Sequence, residues 1–172
     1  MMTGFEIRAL SEGDEASARA AHAELAAEGF VFLQDLRPGE SWKDYVNRVA
    51  TWPRGEGLPD RWVPATFRAA LVADHVVGRM MLRHTLTPFL AEVGGHIGYA
   101  VRPQYRRRGC AAALMSHGLA EARDLGLPRV LLTCDMDNDA SAALIVKSGG
   151  RYEGLSQRVD GSPVKRRFWI DL

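Results

Sequence analysis

Apolar and polar residues alternate along Phe5-Glu-Ile-Arg-Ala-Leu10, the period of a half-buried strand. Ser11, with Asp14 three residues later, then opens an alanine-rich helical stretch that runs to Gly29. Ser41 to Thr51 has the pattern of a second helix, and Trp52-Pro-Arg-Gly-Glu-Gly-Leu-Pro59 is a loop dense in breakers. Thr66 to Ala73 and Val76 to Leu82, separated by Asp74-His75, form an expected antiparallel hairpin. Gly94-Gly95 introduces another strand, His96 to Val101, which Pro103 ends. After Gly109, the residues Ala111, Leu114, Met115, Gly118, Leu119, Ala122 and Leu125 repeat at helical spacing until Gly126 and Pro128. Arg129 to Cys134 has the continuous apolar run of a buried strand, and a helix follows from about Asn138 to Ser148. The tail predicts a closing hairpin, Arg151 to Val159 turning at Asp160-Gly161 into Val164 to Ile170. The strand–helix–strand–helix order in the second half implies a right-handed crossover and a parallel strand pair.

At 172 residues and 47% hydrophobic content the chain suits a single domain, 1–172, with a substantial core. A formal charge of +1 excludes a globally basic field, so any nucleic-acid contact would have to rest on a local patch. Cys110 and Cys134 form no Cys-x-x-Cys motif, which points to a reducing, cytoplasmic setting. No apolar run approaches membrane-spanning length.

The candidate chemistry concentrates in Val101-Arg-Pro-Gln-Tyr-Arg-Arg-Arg-Gly-Cys-Ala-Ala-Ala-Leu-Met115. Gly109 permits close backbone approach, and the small residues after it leave the first helical turn uncovered. The unpaired N–H groups of that turn then face an anion. Those are the properties of a pyrophosphate cradle. Trp42, Tyr45, Trp52 and Trp62 surround the long loop and either contact a ligand or close the core.

With these features in view, the chain resembles the GNAT N-acetyltransferase superfamily over its whole length. The family's acyl-CoA motif falls on Arg106, Gly109 and Ala111. A second element falls on Asn138, Ser141, Leu144 and Gly149. Gly94-Gly-His-Ile-Gly-Tyr99 with Thr133-Cys-Asp-Met-Asp-Asn138 is similar to a branch known as predicted acetyltransferases. The resemblance implies an α/β (α+β) fold with a mixed, mostly antiparallel central sheet. A parallel strand pair would splay at the acyl-CoA site, and helices would cover both faces. It also implies acetyl-CoA as acyl donor, with backbone N–H groups from Arg107, Arg108, Gly109, Cys110, Ala111 and Ala112 on the pyrophosphate. Arginine side chains would add charge or simply face water. Tyr99 and Val101 would pair with the pantetheine arm, and Asn138 and Ser141 would touch that arm, although Asn138 is equally an ordinary N-cap.

In this superfamily an amine attacks the thioester directly within a ternary complex, and homodimers are common. An alkyl amine, with a pKa of about 10, must lose a proton first. His96 on the cleft strand is the favoured base, with a hydrogen-bonded structural histidine as the alternative reading; Glu92 and His84 are further candidates. A strand N–H near Tyr99 to Val101 would meet the oxyanion. The family's proton-donating tyrosine is replaced by Ile145, which leaves Cys134, Ser141 and Tyr152 as substitutes. That replacement also motivates the rival reading, a non-catalytic acyl-CoA sensor. An enzyme acting on aminoacyl-tRNA would need more basic surface, for which Lys165-Arg-Arg167 is a second spot. Histidine spacing suits no catalytic metal.

Overall fold

The structure, a computed structural model, describes residues 4–157 and 161–172. Strand β1 (Phe5–Arg8) leads into α1 (Glu15–Ala26) and α2 (Trp42–Thr51), followed by β2 (Ala65–Val72), β3 (His75–Arg83) and β4 (Ile97–Val101). Then come α3 (Cys110–Asp124), β5 (Arg129–Asp135), α4 (Asp139–Lys147), β6 (Arg151–Leu155) and β7 (Lys165–Asp171). The expected order is present throughout, except that the turn foreseen at Asp160 falls outside the described residues. Local chemistry sets the helix starts. The Ser41 hydroxyl accepts from Asp44 N–H at 3.1 Å, and Asn138 Oδ1 accepts from Ser141 N–H at 3.0 Å. Gly126, in the left-handed region, closes α3.

The strands form two antiparallel sheets, ordered β1-β2-β3-β4 and β5-β7-β6. One apolar cluster lies between the sheets and α3 and α4. It contains Met80, Leu82, Ile97, Leu114, Met115 and Ile145. The other lies beneath α1 and α2 and contains Leu25, Tyr45, Trp52, Phe67 and Met81. Each fully buried Leu or Met contributes about 1.5–3 kcal/mol, so both faces of the first sheet are firmly held.

Two features of register position the site. In the β2–β3 ladder Ala70 pairs with Gly78 and Leu71 with Val76, so Val77 is an extra, bulged residue. Beyond it Met80 and Leu82 pack toward α3, while Arg79 and Met81 face the α1–α2 side. In the β3–β4 ladder Gly98 pairs with Met81 and Ala100 with Arg79. Gly98 and Ala100 therefore bond to β3, and the backbone groups of Ile97, Tyr99 and Val101 point to the free edge.

Candidate active site

That free edge faces β5 across a gap. The expected parallel pair is open along its length, because β4 and β5 belong to different sheets. They are joined at the base by His96. Its backbone N–H donates to Leu131 O at 2.7 Å, and its Nδ1 accepts from Leu131 N–H at 2.9 Å. This side chain acts as an extra rung that ends the pairing and lets the strands diverge. Burial, with the nearby Arg83 guanidinium, pushes the His96 pKa down to about 4. With Nδ1 occupied and the ring neutral, His96 is a staple and has no free lone pair for a base; the structural alternative is the one the geometry supports.

At the far end of the gap stands the start of α3. Arg107 (φ 61°) and Gly109 (φ 86°) both adopt left-handed backbone, which turns successive N–H groups to one side. No N–H from Arg107 through Ala112 has an acceptor among the described residues; the first that does is Ala113, bonded to Gly109 O at 3.0 Å. A Cβ built on Gly109 would meet nothing within 4 Å. An open nest of six consecutive donors fits a pyrophosphate, so the residues present suit the phosphate end of CoA. The arginines divide differently from expectation. Arg106 turns back, its Nε donating to Val101 O at 3.0 Å and its guanidinium pairing with Glu28, so it braces the nest. Arg107 and Arg108 are exposed and form no ion pair among the described residues. Cys110 is a buried packing residue whose thiol pKa burial raises.

Between nest and staple, the Tyr99 hydroxyl lies 2.8 Å from Ser141 Oγ, spanning from β4 to α4. Burial raises the Tyr99 pKa against the opposing bond from Ser141, so the phenol stays protonated across the physiological range. Asn138 serves as the N-cap that presents Ser141. Ile145 is fully buried in the core. Burial raises the Cys134 thiol pKa. Tyr152 is displaced from the gap; it is exposed on β6 and packs on Phe168 with ring centroids 5.4 Å apart.

The other base candidates are also committed. Glu92 accepts from Gln157 N–H at 2.9 Å and pairs with Arg167 at 3.5 Å. His84 Nε2 lies 2.9 Å from the Thr66 hydroxyl, on a strand face that β2 turns toward α3 through Arg68 and Glu121. Trp42, Tyr45 and Trp52 are core residues; Trp62 is half-buried and lines a cavity of about 630 Å³. Lys165, Arg166 and Arg167 are paired with Asp135, Asp139 and Glu153 respectively, which removes the second basic spot as a free patch. Sequence reasoning missed Arg79 and Arg83. The available signal was two arginines four apart inside an otherwise apolar strand, hence on one face.

A splayed pair of sheets, a donor nest at the head of α3 and an unpaired strand edge leading to it define a CoA-dependent acyltransferase. The chain belongs to the acetyltransferase (GNAT) family, whose model matches residues 30–149, and its donor is acetyl-CoA. No curated protein matches the chain. Solved structures share the fold. A GNAT-family acetyltransferase from Streptococcus pneumoniae is 17% identical, covering 98% of this chain and 99% of the other, with a TM-score of 0.68. The ribosomal-protein-S5-alanine acetyltransferase of Vibrio fischeri is 16% identical over 99% and 94%, with a TM-score of 0.71. YncA from Salmonella typhimurium, solved with its cofactor acetyl-CoA, is 14% identical over 99% and 95%, with a TM-score of 0.63. No helix among the described residues is long and apolar enough to cross a membrane.

Proposed function

We propose that the protein transfers the acetyl group of acetyl-CoA to a primary amine of a small molecule or peptide, by direct attack in a ternary complex. The observation that carries this reading is a pair of unpartnered donor sets, the nest from Arg107 to Ala112 and the edge N–H groups of Tyr99 and Val101 on β4. The nest would hold the pyrophosphate. The Tyr99 and Val101 backbone would pair with the amide-bearing arm, and Ser141 would border it. Acetyl-CoA supplies an activated acyl carbon and a leaving thiolate.

The residues at the gap divide the remaining work. A free-edge N–H of β4 would donate to the developing oxyanion. The amine approaches from the α1–α2 side, where Gly98 leaves open space. Because His96, Glu92 and His84 are each engaged, amine deprotonation falls to water in the cleft. As the C–N bond forms and the C–S bond breaks, Tyr99 would pass its phenolic proton to the departing sulfur. Ser141, donating to the phenol oxygen, would steady the negative charge. In this way Tyr99 takes the place of the tyrosine that Ile145 replaces.

The test is thiol release from acetyl-CoA by the purified protein, screened against polyamines, amino acids, aminoglycosides and short peptides. Turnover with one acceptor class, lost on Gly109→Val, is expected. Tight CoA binding with no turnover across the panel would overturn the transferase reading in favour of a sensor.

A further inference from the structure

Arg79 and Arg83 stand on the same face of β3, the face that the amine must approach, and neither has a carboxylate partner among the described residues. Arg79 is 4% exposed. It donates to Val31 O at 3.1 Å, lies 4.7 Å from the centre of the Phe30 ring, and keeps an Nε that is buried with no acceptor. Arg83 gives one nitrogen to Gly94 O at 3.2 Å and Gly95 O at 3.0 Å. No hydrogen bond from its other two nitrogens occurs among the described residues. It lines the cavity of about 630 Å³ together with Met81, Trp62, Val63, Pro88 and Phe89. Asp60, exposed at the rim, forms no ion pair with it among the described residues.

Burying the Arg79 guanidinium without a counter-charge is costly, and a second, half-buried guanidinium on the same strand face adds to the cost. Burial pushes the Arg79 pKa down to about 9, with Arg83 adding repulsion, and burial likewise lowers that of Arg83. Elsewhere the protein pairs its part-buried arginines with acids, as Arg48 does with Glu40 at 2.7 Å and Arg68 with Glu121 at 2.6 Å. The cavity is also placed for the reaction. Met81 on its wall pairs with Gly98 of β4, and the ladder continues through Arg83 N–H to His96 O at 2.8 Å. The Arg83 backbone is thus one strand spacing and three residues from the free edge at Tyr99, roughly 11 Å.

We infer that this cavity is the acceptor site and that it selects amines bearing a nearby anionic oxyacid group, a carboxylate or phosphonate, held by Arg83 with Arg79 behind it. The role of the cavity as acceptor site rests on the transferase reading; the anion preference does not. Trp62 and Phe89 on the same wall favour a compact acceptor with an apolar side chain.

Binding is measured calorimetrically on CoA-saturated protein, with amino acids and aminoalkylphosphonates as probes, each beside its uncharged carboxamide or diester. The expected result is anionic forms binding at least about tenfold tighter than neutral ones, with a further loss of about tenfold to a hundredfold in Arg83→Gln and partial recovery in Arg83→Lys. Carboxylate and phosphonate arms reveal which anion is preferred. Unchanged CoA affinity in Arg83→Gln certifies its fold. Equal binding of charged and neutral forms, no binding by any anionic probe, or an Arg83→Gln protein that binds like wild type overturns the assignment. Probe binding without acetyl transfer would leave the anion site standing and remove the transferase reading instead.

Discussion

The donor half and the acceptor half of the cleft are built from different materials. The donor half is backbone, six N–H groups displayed by the left-handed turns at Arg107 and Gly109 and the unpaired edge of β4. The acceptor half is side chain, above all Arg79 and Arg83 on β3, with Gly98 leaving room between them and the strand edge. A backbone site tolerates change in its charged neighbours but not in its turns; a side-chain site has the opposite sensitivity.

The largest expected effect comes from the turn. Gly109→Val places a branched side chain at φ 86° and in the space of the anion, so the KM for acetyl-CoA should rise at least about a hundredfold. An acetyl-CoA titration showing little change would put the phosphate site elsewhere. Next is the staple between the halves. His96→Ala strips Leu131 N–H of its buried acceptor and leaves a cavity, costing about 2–4 kcal/mol by denaturant unfolding.

The same staple makes a pH prediction. The folded pKa of His96, about 4, lies below its ordinary 6.5, so the unfolded chain binds the proton more readily. Its contribution to stability is therefore complete above about pH 6.5 and is lost as pH falls toward 4, up to about 3 kcal/mol. His96→Asn, whose side-chain oxygen reproduces the Nδ1 acceptor without titrating, should flatten that part of the unfolding profile.

A smaller effect is expected for Tyr99→Phe, which should lower kcat about tenfold to a hundredfold while leaving the KM for acetyl-CoA within about twofold. A kcat that does not move would remove the phenol from the proton path. The smallest effect belongs to the exposed charges. Arg107→Ala or Arg108→Ala should raise the acetyl-CoA KM only about twofold to tenfold, and less at high salt, if the backbone does most of the holding.

The two halves were also unequally legible in the sequence. The nest could be read because it depends on neighbours in the chain. Pro103 ends a strand, Gly109 permits a left-handed turn, and three alanines leave a helix start bare. The role of His96 could not, since it rests on Leu131, 35 residues away and in another sheet. Glu92 is similar, engaged by a backbone N–H 65 residues on. His84 failed as a cleft residue through strand parity, which a run of alternating residues leaves undecided until the ladder is known. The aromatic loop divided along the same line. Trp42, Tyr45 and Trp52 went to the core by helical packing, and Trp62 stayed at the cavity wall.

The bulge at Val77 carries a consequence for how such a pocket changes over generations. A strand that kept Val77 but paired it in simple alternation would shift every later residue by one partner, onto the opposite face of the sheet. Arg79 and Arg83 would then be driven toward α3, and Met80 and Leu82 would line the cleft. The bulge absorbs Val77, so that Leu71 still pairs with Val76 and Ala70 with Gly78; straightening it with the residue retained would thus exchange a cationic pocket for a greasy one more abruptly than any series of point substitutions on β3, which makes Val77 a hinge of specificity although it touches no substrate.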